Sequence, residues 1–395
     1  MTIGVRVLQP DEVERAYVAL ERAFGAAPHP DDLPVELSVV DDGRFYGGFD
    51  GDEVVATAGS FDFRMTVPGG PVPVAGVTWV SVLPTYRRQG LLNALMSAQL
   101  GDLHAAGTAV AALWATESAI YGRYGYGAAA WRLALDVVGR SAFRTAVEPG
   151  GVRLVEPDAP EVREVYAQVA GRTAGFPERD DRWWAFRVAD PEHRRDGGSP
   201  LQCAHTDGGY ALYSTAMRWD NGLPAGVVRV REVLAASPDA AARIWRHLLD
   251  LDLMRSVDAY AVAPDDWLVM GLLAEPRVAR PRLTDSLHVR LVDVPTALAQ
   301  RRYAADVDVV LEVTDARCPW NAGRWHLVGG RSGASCSAVP DEPDLVVDVA
   351  DLGAAYLGGT PLRSRGVVER TAGALARATT AFGPLEGAPW CPQVF

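Results

Sequence analysis

The segment from Val80 to Met96 constrains this chain more than any other. It reads as an apolar strand ending Val80-Ser81-Val82-Leu83, a turn marked by Pro84, and a basic loop, Arg87-Arg88-Gln89-Gly90. An apolar helix then opens at Leu91-Leu92-Asn93. A strand that feeds a helix through such a loop makes an anion site. The first four amides of a helix have no internal partner, and the aligned peptide dipoles leave partial positive charge at that end. Arg87 and Arg88 add full charges beside those amides, and Gly90 lets the backbone approach a bulky phosphate with no Cβ in the way. These residues predict a cradle for a phosphate or pyrophosphate. Taken alone they also fit an ordinary strand–turn–helix with a solvated basic turn. A nucleotide-binding P-loop is disfavoured, because no Gly-Lys-Ser/Thr follows and the chain has no lysine at all.

At 395 residues the chain is long for one core, so two or three domains are expected. Its 48% hydrophobic and 22% charged content is that of an ordinary globular protein. The net charge of −12 argues against nucleic-acid and anionic-membrane partners and favours a cationic substrate. Cys203, Cys318, Cys336 and Cys391 show no ligand-like or framework spacing, and the seven histidines form no His-x-x-x-His pair. No metal is expected. The sequence shows no apolar run approaching the ~18 residues of a membrane span and no secretory pattern at its start, which predicts a cytoplasmic protein.

Along the chain, a strand near Val5 precedes a helix from Asp11 to Leu20 whose first turn is acidic. Strands follow at Arg44–Phe49, Glu53–Val67 and Val72–Leu83, joined by Asp50-Gly51-Asp52 and Pro68-Gly69-Gly70 turns. After the helix of the basic loop comes a strand at Ala109–Ala115. Residues 136–288 repeat a coarse α/β rhythm: a helix at Ala159–Ala170, strands at Tyr210–Arg218 and Gly226–Ala235, and an amphipathic helix at Ala240–Leu253. The join after Val233-Leu234 has no Arg-Arg-x-Gly loop, so a second copy of the fold would lack the phosphate cradle. From Val289 the pattern changes again, to a helix through Gln300, strands near Val307, Arg324 and Leu345, and short helices beyond.

Downstream of the loop lies Thr116-Glu117-Ser118-Ala119-Ile120-Tyr121-Gly122-Arg123-Tyr124-Gly125-Tyr126. Ser118 has no flanking glycine of a nucleophile elbow, which disfavours a hydrolase. The run Val82-Leu83-Pro84-x-x-Arg87-Arg88-x-Gly90, followed at this remove by Tyr121-x-x-x-Gly125-Tyr126, resembles the GNAT superfamily of N-acetyltransferases. Leu92 stands where that signature usually has a small residue. The resemblance narrows to the actinobacterial Eis (enhanced intracellular survival) family. It does so through Arg87-Arg88-Gln89-Gly90-Leu91-Leu92, the Ile120–Gly127 corner, Arg182-Trp183-Trp184 with Arg187, and Trp245-Arg246 with Leu248 to Leu253.

That resemblance implies a mixed α/β chain of three domains: an acetyl-CoA-binding GNAT fold over 1–135, a second GNAT-like fold over 136–288 without the cofactor loop, and a sterol-carrier-protein-like domain over 289–395. It implies a homohexamer, a trimer of dimers. The backbone of Val80, Ser81 and Val82 would hold the pantetheine arm and Arg88 to Asn93 the pyrophosphate, with Arg87 alongside. Thr116 and Glu117 would meet acetyl-CoA from the next strand. Tyr121 would be the general acid, since a tyrosine near pKa 10 can protonate a thiolate whose conjugate acid lies near 8.5.

The family resemblance also implies that the α-carboxylate of Phe395 is the general base; the tail Ala388-Pro389-Trp390-Cys391-Pro392-Gln393-Val394-Phe395 is apolar and proline-stiffened. A free α-carboxyl titrates near 3.5 and needs a dehydrated pocket to work at neutral pH. The implied acceptors are primary amines of aminoglycoside- or polyamine-like molecules or of protein lysines, acetylated directly in a ternary complex. Val394, where an acid would help to hold a polycation, predicts weak aminoglycoside activity. Trp183-Trp184 reads as core packing ahead of substrate stacking. Asp31, Asp32 and Glu36 read as a solvated acidic loop ahead of an amine pocket. The alternative from another class is a non-catalytic sensor that binds CoA or a lipid-like ligand.

Overall fold

The computed structural model describes residues 4–40, 44–148 and 150–395. Its contacts divide the chain into two units. The first comprises Met1–Ala130, Ser286–Leu385 and Gln393–Phe395; the second comprises Trp131–Asp285 and Glu386–Pro392.

The first unit is built on β1 (Gly4–Val7), α1 (Val13–Ala23), α2 (Leu33–Leu37), β2 (Phe45–Asp50), β3 (Glu53–Val67), β4 (Gly70–Val82), α3 (Leu91–Ala105), β5 (Val110–Trp114) and α4 (Ser118–Tyr121). The long hairpin β3–β4 turns at Gly69 and Gly70, both at positive φ, where glycine alone is unstrained. The sheet runs β1-β2-β3-β4-β5 and then takes in strand Leu287–Leu291 and the short Gly127–Ala128. β4 and β5 are parallel and the crossover between them is α3, as a βαβ unit requires. Helix α3 packs Leu95, Met96, Leu100 and Leu103 onto the sheet.

The remainder of the first unit is a five-stranded sheet in the order Gly333–Ala338, Gly323–Gly330, Val307–Thr314, Leu345–Asp348 and Val368–Glu369, with helices Val294–Gln300, Val349–Ala355 and Ala374–Ala381. A buried ion pair, Arg290 with Asp315, ties this part to the first sheet: neither side chain is more than 1% exposed.

The second unit holds another seven-stranded sheet, ordered Arg282–Asp285, Trp131–Val138, Met254–Val262, Gly226–Ala235, Gly209–Ala216, Gln202–Thr206 and Arg153–Val155. Helix Pro238–Asp250 joins the parallel strands Gly226–Ala235 and Met254–Val262 and buries Ile244, Trp245, Leu248 and Leu249. Trp183 and Trp184 are buried, the latter in a core with Tyr166, Phe176 and Tyr210.

The sequence divisions at 135/136 and 288/289 both fall inside strands. Trp131–Val138 pairs wholly within the second sheet, and Leu287–Leu291 pairs with β5 in the first. Among the described residues no helix is long and apolar enough to cross a membrane.

Candidate active site

The parallel ladder between β4 and β5 runs only from Val74 opposite Val110 to Val77 opposite Leu113. β4 continues to Val82 but pairs there with β3 alone, so its edge from Thr78 to Val82 is unpaired on the β5 side. The strands part at a bulge. The β3–β4 register shifts between Thr57 and Gly59, and Trp79 takes a left-handed φ of 51°. Bulges sharpen a strand's twist and re-aim the residues beyond them. The Thr57 hydroxyl fixes this one by donating to the Trp79 carbonyl, and it shares a 2.8 Å hydrogen bond with Ser81 Oγ. The Trp79 ring packs against Phe45 and Tyr17. Val80, Ser81 and Val82 thus border a cleft whose edge offers backbone groups to an extended ligand.

The loop beyond ends at α3 with two left-handed residues, Arg88 at φ 63° and Gly90 at φ 87°. Among the described residues the amides of Arg88 to Asn93 donate to no acceptor, and no side chain caps the helix. A Cβ at Gly90 would meet nothing within 4 Å, so glycine answers the positive φ here while the space above it is open. Arg87 is tied back: its guanidinium donates to the Val82 and Ala23 carbonyls at 3.3 Å. Gln89 donates to the Thr85 carbonyl. Leu91 is buried against Gly48 and Ala56, and Leu92 packs toward the α3–β5 core. The Asn93 side chain is engaged, accepting from Tyr124 Oη at 2.8 Å and from Arg317 at 3.3 Å, which leaves its amide for a ligand. Thr116 and Glu117 are exposed beyond the end of β5, where the Glu117 carbonyl accepts from Ile120 and opens the α4 turn.

Tyr121 ends α4 and is buried against Ala75, Val77, Met96 and Tyr126. Burial, with smaller contributions from Tyr124 and Glu117, pushes its phenol up to about 12. Tyr126 is fully buried and raised further for the same cause. The two rings meet edge-on at 6.1 Å.

Phe395 reaches β4 from the other side. Its ring lies 5.0 Å from that of Phe63, and a Cβ on Gly76 would come within 3.2 Å of it and closer still to Phe63. Successive residues of a strand face opposite ways. Ala75 and Val77 therefore look toward Tyr121, and Gly76 looks toward Phe395, just where β4 and β5 part. The tail before it is buried through Trp390, Cys391 and Gln393. No local pattern marks Gly76, whose importance depends on a ring hundreds of residues away.

In the second unit the corresponding parallel pair also parts, after Val230 and Ala259. The following helix is closed to anions: Ser237 Oγ accepts from the Ala240 amide, and Pro238 has no N–H to offer. A cavity of about 510 Å³ there is lined by Val233, Asp265 and Trp267, and by Glu386, Ala388 and Trp390 of the chain's own tail.

Known proteins resemble this chain over its full length. Models of an acetyltransferase (GNAT) domain match residues 4–129 and 175–291, and a sterol carrier protein domain matches 294–392. An uncharacterised N-acetyltransferase of Streptomyces avermitilis is 45% identical over the full length of both chains. N-acetyltransferase Eis of Mycobacterium tuberculosis is 36% identical over 79% of this chain and 78% of its own. The crystal structure of Eis1 from Mycobacterium abscessus superposes with a TM-score of 0.84 at 31% identity, covering both chains completely. The chain belongs to the Eis family of GNAT N-acetyltransferases. Two GNAT folds and a sterol-carrier-like domain are thereby assigned, and the protein is an acyltransferase. The alternative of a binding-only sensor gives way to that membership.

Proposed function

We propose that the cleft between β4 and β5 takes acetyl-CoA, and that the enzyme passes the acetyl group directly to a primary amine of a cationic acceptor in a ternary complex. The observation that carries this reading is the parting of β4 and β5 beside the free amides of Arg88 to Asn93, with Tyr121 and Phe395 on opposite faces of β4. Bound there, acetyl-CoA supplies an acetyl group activated as a thioester. The β4 edge at Val80 to Val82 pairs with the amides of the pantetheine arm, and the loop amides with Arg88 hold the pyrophosphate.

Tyr121 keeps its proton well above neutral pH. Passing it outright to a thiolate would be uphill by ~5 kcal/mol, given a thiol near 8.5. Its task is therefore to donate a hydrogen bond to the sulfur as negative charge develops; a proton that follows the departing thiolate is regained by Tyr121 from solvent, and the amine sheds its own proton separately. The α-carboxylate of Phe395 accepts that proton. Phe395 itself is half-buried, which supports part of the dehydration a carboxylate needs to act as a base near neutral pH. The −12 net charge favours polyamine-like or lysine acceptors. Assembly as a homohexamer belongs to the same reading. Light scattering should give a mass about six times 42.4 kDa.

The test is thiol release over a panel of amines, run beside calorimetric titration with acetyl-CoA. Wild type should bind and turn over. A chain extended by two glycines after Phe395 should keep its affinity and lose most of its turnover. Turnover at the wild-type rate in the extended chain would remove the carboxylate from the mechanism, and failure of wild type to bind acetyl-CoA would remove the whole reading.

A further inference from the structure

The segment Asp315 to Asn321, from the sterol-carrier-like part, is fastened beneath the tyrosine corner. Asp315 Oδ1 accepts the amides of Arg317 and Cys318 at 3.0 Å, and Oδ2 accepts from Arg290 and from Asn321 Nδ2. Asn321 in turn accepts the Val294 amide and donates to the Leu291 and Val292 carbonyls. This buried network holds one exposed side chain, Arg317, out over the first unit's GNAT fold. Its Nη2 lies 3.3 Å from Asn93 Oδ1, in the first turn of α3, and its Nε lies 3.3 Å from the Arg123 carbonyl. Arg123 is exposed as well and is fixed by donating to the Ile120 carbonyl. The two guanidiniums stand 5.2 Å and 5.8 Å from the centre of the Tyr124 ring. Among the described residues neither meets a carboxylate.

Two like charges gathered at one ring repel, and a fold that fixes them there with no acid between them is organised for an anion. The loop amides and Arg88 already serve one phosphate position at the head of α3. Coenzyme A carries a further phosphate, on the 3′ oxygen of its ribose. We propose that Arg317 and Arg123 form a second anion site that holds this 3′-phosphate, so that the sterol-carrier-like domain contributes a residue to donor binding. The proposal rests on the acetyl-CoA reading above. Guanidinium pairs suit a phosphate dianion because each presents a planar fork of donors, and the cation–π contact with Tyr124 keeps Arg317 in place when the ligand is absent.

The experiment is calorimetric titration of the full chain with CoA and with 3′-dephospho-CoA. Wild type should prefer CoA by roughly ten- to hundredfold, the range expected for charge-assisted hydrogen bonds. Arg317→Ala and Arg123→Ala should each lower affinity for CoA, leave that for dephospho-CoA within about twofold, and so erode the preference. Arg317→Lys should restore part of it. Arg331→Ala, a change in an exposed turn of the same domain, should change nothing, and unaltered melting temperatures show that each variant is folded. Equal binding of the two ligands by wild type, or full preference retained in Arg317→Ala, overturns the proposal while leaving acetyl-CoA binding intact. Absence of any CoA binding by wild type instead removes the donor reading on which it stands.

Discussion

Arg88 sits at φ 63°, a conformation that costs a non-glycine residue roughly 1–2 kcal/mol, next but one to Gly90 at 87°. Alternating left-handed residues turn successive amides toward a common point, which is the geometry of a backbone anion nest. The basic side chain and its strained backbone can be separated by mutation. Arg88→Ala and Arg88→Gly both remove the charge, but only glycine relaxes the φ. If the charge dominates, both should weaken acetyl-CoA binding about tenfold by calorimetry, with Arg88→Gly the more stable protein to heat. Tyr121 makes the complementary prediction at the chemical step. Tyr121→Phe keeps the ring that packs on Ala75 and Val77 and loses only the O–H. Turnover should fall ~10²–10⁴-fold with acetyl-CoA affinity nearly unchanged. Because burial raises this phenol to about 12, its protonated form persists as pH rises. A pH–rate profile should show no alkaline loss from Tyr121 below about pH 10.

Elements whose partners are close in sequence were readable from the residues, and elements defined by distant partners were not. The β3–β4 hairpin announces itself through Pro68-Gly69-Gly70, and the basic loop announces the start of α3. Helix Pro238–Asp250 is plain from its apolar stripe. The short strand Leu287–Leu291 looks like a domain edge, because nothing local says that it pairs with β5, more than 170 residues earlier. The bulge at Trp79 is equally silent, being set by Thr57 from the facing strand. Asp266 is another such case. It precedes the π-helical turn Leu268–Leu272 and accepts the Leu268 amide, yet burial lifts its carboxyl to about 7. An acid with a raised folded pKa holds its proton longer when folded, so its destabilising effect is absent below the unfolded value near 4 and grows as pH rises to about 7. Chemical denaturation should therefore show stability falling by roughly 2–4 kcal/mol between pH 4 and pH 8 from this group alone. Asp266→Asn should flatten that slope and be the more stable protein at pH 8. An unchanged slope in the variant would mean that other groups set it.

At the scale of the molecule, the two GNAT folds share a splayed pair of strands and use it differently. In the first, the splay stands open beside uncapped amides. In the second, helix Pro238–Asp250 is capped by Ser237, and the tail occupies the splay: Trp390 packs with Phe176, Leu234 and Ala261, its amide donates to the Ala174 carbonyl, and the Ala388 amide donates to Asp265. In the second fold a segment of the chain's own tail thus lies at the splay, and the chain continues three residues later in the first unit as Gln393–Phe395. A buried tryptophan anchors such a tail by about 3–5 kcal/mol. Trp390→Ala should release it and scatter the position of Phe395 while leaving the loop at Arg88 to Asn93 untouched. The expected result is a loss of kcat with amine-dependent thiol release, an acetyl-CoA Kd within about twofold of wild type, and new protease sensitivity after Leu385. Trp390→Phe, which keeps an aromatic ring against Phe176, should recover much of the turnover. If Trp390→Ala instead weakened acetyl-CoA binding and kcat together, the second fold would be supporting the donor cleft as a whole, and the tail would not be its means of action.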